Sequence, residues 1–213
     1  MIVPKNANAN NSDNAIIALD SNAILEKYGI AKKCDVWFDA LLAENKKLNL
    51  VSRETTREDL KRLSAESVLP LEYSQQSSFA LHLDIGSGGG FPAFPLMLTD
   101  RIKRTTMVER TQKKALALRR ILGAMHMEAG IIAQTFEEAN LEPSYELITI
   151  RLVALTPKLL VPIVSHLAIG GIFIYYAAPP PLPPAMGLQV KTVRYSSGPS
   201  SPVKELAIIT KNR

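Results

Sequence analysis

From residue 20 to about 47, apolar side chains recur three and four positions apart: Cys34, Trp37, Phe38, Leu41 and Leu42 form one stripe. That spacing predicts a helix with one buried face. The stretch "ENKKLNLVSRET" breaks the period, and Leu60, Leu63 and Leu71 predict a second helix over 56–72. After this helical prelude the period changes. "FALHLDI" reads as a buried strand, and "GSGGG" with "FPAFPLML" as a turn opening a helix, with Pro92 in its first turn, where a missing N–H costs nothing. "TTMVE" is a second strand. "QKKALALRRILGAMHM" is an amphipathic helix with Leu118, Ile121, Leu122 and Met125 inside and Lys113, Lys114, Arg119 and Arg120 on a solvated face. "GIIAQ" and "ELITIR" are strands, "TPKLLVPIVSHL" a helix, and "GGIFIYY" another strand. "LQVKTVRY" and "KELAIIT" make an antiparallel pair, and the proline-dense "AAPPPLPPAMG" before them is a loop. Strands alternating with helices predict an α/β fold with a doubly wound, mostly parallel sheet and a C-terminal antiparallel hairpin.

A chain of 213 residues suits one such domain with a small appendage. The expected divisions are a disordered Asn-rich tail (1–14), a helical N-terminal extension (15–75) and a ligand-binding α/β domain (76–213). The net charge of +5 suits a polyanion such as RNA, although many basic proteins bind none. One cysteine, Cys34, excludes a disulfide framework within the chain and a cysteine-rich zinc site. His82, His126 and His166 lack metal-ligand spacing, so no metal is expected. No signal peptide is recognisable and no apolar run nears the roughly 20 residues of a membrane span. A cytoplasmic protein with no membrane partner is the simplest expectation.

The glycines carry the chemistry. In a parallel sheet, ligands bind at the carboxyl ends of the strands, where "GSGGG" lies. A phosphate loop of the GxxxxGK[ST] type is absent, but Gly88, Gly90 and Ala93 satisfy the looser dinucleotide pattern GxGxxA. Asp84, two residues before the first glycine, would repel a pyrophosphate and suit a cationic methionine group. Glu109, ending the second strand, would accept hydrogen bonds from ribose hydroxyls in either cofactor. S-adenosylmethionine is thus favoured on Asp84, with a nicotinamide cofactor and a purely structural turn as alternatives.

"LLAENKKLNLVSRET", "LHLDIGSGGGFPAFPLML", "VERTQKKALALRRI" and "IRLVAL", in this order and spacing over roughly 35–176, resemble the bacterial small-subunit ribosomal RNA methyltransferase G family, also called the glucose-inhibited division protein B family. The resemblance implies a class I methyltransferase (Rossmann-like) fold. It also implies methyl transfer from S-adenosylmethionine to N7 of one guanine of 16S rRNA near the decoding centre, with 16S rRNA or the 30S subunit as partner. It places Gly86 and Phe91 at the cofactor, Ser87, Gly88 and Gly90 in the turn, Glu109 on the ribose, and Phe136 and Glu137 by the adenine. Arg151 would stand beside cofactor and substrate as a catalytic residue, and Asn49 matches the family pattern.

Three departures stand out. Leu63-Ser64-Ala65-Glu66-Ser67 replaces the usual His-x-x-Asp-Ser, Tyr175-Tyr176-Ala177-Ala178 replaces a Lys-Gly, and Glu109-Arg110 replaces Asp-Ser. These changes gather around the RNA side of the pocket, where Lys46, Lys47 and Arg53 with Arg57 form a basic cluster and Ser67 persists. Guanine N7 carries no proton, so no general base is needed. The ring becomes cationic as it is methylated, and Glu66 is a candidate carboxylate to face it. Two other readings remain open: methylation of another RNA or a small molecule, and a non-catalytic RNA-binding or ribosome-assembly module. Trp37 and Cys34 are expected to pack inside the prelude, and Tyr175 or Tyr176 to line the pocket.

Overall fold

The computed structural model describes residues 15–182, 186–198 and 200–212, so the tail expected over 1–14 lies outside the described residues, as does part of the proline-dense segment. The strands are β1 (Ile16–Ala18), β2 (Phe79–Ile85), β3 (Ile102–Val108), β4 (Gly130–Ile132), β5 (Tyr145–Ile150), β6 (Leu167–Tyr175), β7 (Leu188–Ser196) and β8 (Lys204–Lys211). They form one sheet in the order β1-β7-β8-β6-β5-β2-β3-β4. β2 to β6 run parallel, and β8 lies antiparallel between β6 and β7, which is the expected hairpin. The crossovers are helices α4 (Ala93–Leu98), α5 (Gln112–Ala124) and α6 (Pro157–His166).

The prelude departs from its expected form in three ways. Its first helix is two, α1 (Ser21–Lys27) and α2 (Ala31–Asn45), because Gly29 between them takes φ +65°, the left-handed geometry that ends helices. The second, α3 (Arg57–Val68), starts at a capping box between Thr56 and Asp59 and passes into a 3-10 turn at Leu69–Tyr73. The extension is also not wholly helical. β1 pairs in parallel with β7 at the sheet's edge, a strand too short for any two-residue period to reveal it. Pro92 likewise sits just before α4, as its N-cap, rather than in its first turn.

α1 to α3 share one apolar core with α4, α5 and one sheet face, where Trp37, Leu41 and Leu60 join Phe94, Met107 and Leu118. α6 covers the other face, where Leu83, Ile85 and Ile148 meet Leu160 and Ile163. Because strand side chains alternate, His82 and Asp84 of β2 point the opposite way from Leu83 and Ile85, toward the prelude. Trp37 packs there as expected, and it reaches further, onto Phe91 (ring centroids 4.7 Å apart) and Phe94 (5.3 Å, stacked). The prelude is thereby clamped over the glycine turn. Cys34 is buried, with its thiol pushed up to about 12 by burial.

Candidate active site

β2 lies between β3 and β5, so the chain leaves it in opposite directions along the sheet. That reversal opens a crevice at the carboxyl ends of the strands, and a cavity of about 740 Å³ occupies it, within the usual range for small-molecule sites. The turn after β2 forms one wall. Gly86 N and Ser87 N donate to Val108 O at 2.8 and 3.2 Å, which holds the turn against β3. Gly86 has φ +77°, and a Cβ there would lie 2.5 Å from Val153 Cγ2. At Gly89 a Cβ would stand 2.7 Å from the carbonyl oxygen of Leu50. That contact brings the loop after α2 against the turn backbone to backbone, and only glycine allows it.

Glu109, just past β3, is buried and accepts from Gly88 N (2.9 Å) on one oxygen and from Thr111 N (2.8 Å) on the other. Each carboxylate oxygen has a second lone pair, so the group can brace the turn and still accept hydroxyl donors from the cavity it lines. Phe136, in a 3-10 turn (Phe136–Glu138), contributes an apolar wall and packs edge-on against His166 at 6.1 Å.

Beneath the turn runs a buried polar row. Thr149 Oγ1 donates to Asp84 Oδ1 at 2.6 Å, and His82 Nε2 lies 2.9 Å from the same hydroxyl, with Thr105 Oγ1 3.2 Å from Nδ1. Since the Thr149 proton goes to Asp84, the network assigns the imidazole proton to Nε2, and Thr105 donates to Nδ1. Burial drives the His82 pKa down to about 3 and the Asp84 carboxyl up to about 6, because each loses hydration when charged.

Opposite Glu109 stands Arg151, just after β5. Its Nη2 donates to Glu66 Oε2 at 2.6 Å and its guanidinium lies 5.5 Å from the centre of the Tyr176 ring. Glu66 also receives Lys204 Nζ at 2.6 Å and faces Arg62 Nη1 at 3.5 Å.

A model of the family described as rRNA small subunit methyltransferase G matches residues 30–179. The Ribosomal RNA small subunit methyltransferase G of Borrelia recurrentis is 32% identical over 148 residues, 68% of this chain and 69% of that one. Its namesake from Xanthomonas axonopodis pv. citri is 30% identical over 177 residues, 76% and 82% of the two chains. The chain belongs to the rRNA small subunit methyltransferase G family. As a member it is a methyltransferase whose methyl donor is S-adenosylmethionine. The fold is also that of a Bacillus cereus O-methyltransferase solved in complex with SAH, with a TM-score of 0.63 over 90% of this chain and 96% of that one at 13% identity.

Of the expected site residues, Gly86, Ser87, Gly88, Phe91, Glu109, Phe136, Glu137 and Arg151 all line the large cavity. Two expected cofactor residues do not. Asp84 is enclosed below the turn with Thr149 and is absent from the cavity wall. Gly90 turns away: a Cβ there would meet the Phe94 ring at 2.4 Å, so it serves packing, and Gly89 takes its place at the wall.

On the substrate side two expectations are corrected. Ser67 is fully buried and its hydroxyl donates to Leu63 O at 2.7 Å, the back-bond a helical serine makes when nothing else is in reach. Glu66 is buried among cations and does not line the large cavity, so it holds Arg151 rather than facing a reacting ring. Lys46, Lys47, Asn49 and Arg53 are exposed on the loop whose Leu50, Val51, Ser52 and Thr55 line the cavity. Asn45 organises that loop by accepting from Leu50 N (2.8 Å) and Val51 N (3.1 Å), a role its sequence context did not announce. Arg57 is engaged by Asp35 and Asp39. Lys114, expected on a solvated face, lines the cavity; it lies in the first turn of α5, close in sequence to Glu109, and that proximity was the missed signal. Tyr176 lines a neighbouring cavity, with its hydroxyl donating to Ser67 O. No described helix is long and apolar enough to cross a membrane.

Proposed function

We propose that this chain methylates N7 of a guanine in 16S rRNA, with the large cavity holding S-adenosylmethionine and the exposed loop 46–53 meeting the RNA. The observation that carries the reading is the pairing, in one crevice, of a glycine cradle a Cβ would fill with a buried carboxylate that keeps spare acceptors. Those features suit an adenosine-bearing ligand. Glu109 would accept the ribose hydroxyls, Phe136 would cover the adenine, and Gly86, Ser87 and Gly88 would let the ligand approach the backbone. The methyl of S-adenosylmethionine is electrophilic because it sits on a sulfonium.

The protein's remaining task is placement. N7 attacks without losing a proton, so rate depends on holding nucleophile, carbon and leaving sulfur in line, an effect worth up to about 7–11 kcal/mol. Arg151 is fixed for that work: Glu66 anchors its fork and Tyr176 backs its plane. Pairing with Glu66 also offsets its charge, which would otherwise oppose a cation beside it. Lys46, Lys47 and Arg53 would contact phosphates, which position RNA without reading its sequence.

The test is incubation of the protein with radiolabelled S-adenosylmethionine and 30S subunits that lack the family's guanine modification. Label mapping to N7 of that guanine is expected. Cofactor binding with transfer elsewhere would mean another substrate, and failure to bind S-adenosylhomocysteine would overturn the reading.

A further inference from the structure

A second cavity of about 480 Å³ adjoins the first, and the two share Arg151 and Leu152. Its walls come from α3, from the segment after β6 and from the β7–β8 hairpin, through Glu66, Tyr176, Tyr195 and Lys204. Glu66 is 0% exposed, Arg151 10% and Lys204 35%, so the carboxylate and guanidinium lie inward and the ammonium reaches the open side of the cavity.

Two observations point to an anion there. The ion pairs around Glu66 join three cations, Arg62, Arg151 and Lys204, to two carboxylates, Glu66 and Asp59, leaving positive charge in excess. Arg194 and Glu205 at the rim pair with each other at 3.4 Å and do not alter that balance. Moreover, Arg151 Nη1 is buried and has no hydrogen-bond partner among the described residues. A buried guanidinium N–H left unmet is costly, and a planar fork with one arm on a carboxylate and the other free suits an oxyanion. Between the cavities projects Leu152, 97% exposed and held at φ +59°. Strained geometry of that kind in a non-glycine residue gathers at ligand contacts, and an exposed leucine offers an apolar surface to a base.

We propose that the second cavity binds a phosphate of the substrate strand next to the methylated nucleotide, through Arg151 and Lys204, while the base itself passes Leu152 to reach the cofactor cavity. The proposal rests on the RNA-methylation reading above and adds to it a phosphate subsite supplied partly by the C-terminal hairpin. Lys204 would there provide a cation from β8, in a chain that leaves β6 through Tyr176-Ala177-Ala178.

Calorimetric titration of the protein loaded with S-adenosylhomocysteine, using guanosine, guanosine 5′-monophosphate and guanosine 3′-monophosphate as probes, tests it. One monophosphate is expected to bind at least roughly tenfold more tightly than guanosine. Lys204→Gln should remove most of that advantage and leave S-adenosylhomocysteine affinity unchanged. Val203→Glu, at a rim position 43% exposed and outside the ion cluster, should remove it too, and it decides the matter if Lys204→Gln does not fold. Equal binding of the three probes, or an advantage that survives Val203→Glu, overturns the proposal. If Lys204→Gln instead weakens S-adenosylhomocysteine alone, the free arm of Arg151 belongs to the cofactor's carboxylate and the subsite does not exist. The wild-type protein's binding of S-adenosylhomocysteine, measured first, separates these outcomes from failure of the methylation reading itself.

Discussion

The two cavities sit side by side and are built on different principles. The larger is centred on backbone geometry: one strand end, one glycine turn and a carboxylate reached by the next strand, with the loop after α2, Phe136 and Arg151 completing the wall. The smaller depends on side chains from residue 66 to residue 205, with Glu66 tying Arg151 to Lys204. Backbone geometry can be written into a motif, whereas an ion cluster exists only once distant elements have docked. The first should therefore respond to substitution mainly through ligand binding, and the second mainly through stability.

Glu66→Ala is the strongest challenge to that contrast. It strands Arg151 and Lys204 without their shared carboxylate, and removing one partner of a buried pair costs about 3–5 kcal/mol. Urea unfolding should register that loss; a change below about 1 kcal/mol would mean the cluster is not a structural element.

The buried row beneath the turn makes a pH prediction. Asp84, raised from 3.8 to about 6, favours its protonated form in the fold, so its contribution declines as pH rises between those values. His82, lowered from 6.5 to about 3, favours its neutral form, so its contribution declines as pH falls through that window. Between about pH 4 and 6 the two slopes oppose each other, each approaching about 1.4 kcal/mol per pH unit. Asp84→Asn removes one of them. Its stability should then climb from pH 4.5 to 6 more steeply than that of the wild type, and parallel curves in urea titrations would contradict the argument.

In the large cavity the effect shifts to binding. Glu109→Ala deletes the acceptor of Gly88 N and Thr111 N; hydrogen bonds to a charged group are worth about 1.5–3 kcal/mol. S-adenosylhomocysteine affinity should fall by roughly ten- to a hundredfold by calorimetry, and unchanged binding would remove Glu109 from the site. A glycine pair gives effects of similar or smaller size. Gly89→Ala drives a methyl against Leu50 O and should cost about 1–3 kcal/mol. Gly123→Ala, in α5 with nothing within 4 Å, should instead add about 0.5–1 kcal/mol. Equal shifts in melting temperature would show that the close approach at Gly89 is unimportant.

The same division explains what could be read in advance. β2, the turn, the place of Glu109 at the end of β3 and the alternation of later strands and helices were legible because each rests on local spacing or backbone geometry. Glu66 and Ser67 were misread because a residue type in a motif does not reveal which face of α3 it occupies, and here both point inward. Asp84 was placed at the ligand for its position in the chain, yet strand alternation turns it toward Thr149 and the prelude. Gly89 and Gly90 are neighbours of identical chemistry; only the approach of Leu50 to one and Phe94 to the other separates their roles.

By itself, then, the order of apolar and polar residues determined the doubly wound sheet, the helical cover and the glycine turn at the switch point, since periodicity and glycine geometry act over a few residues. Tertiary structure alone decided that β1 completes the sheet edge, that Trp37 clamps the prelude to the turn, and that Lys204 meets Arg151 across Glu66. Those contacts join positions far apart along the chain, and their energies arise only when docking excludes water from the groups involved.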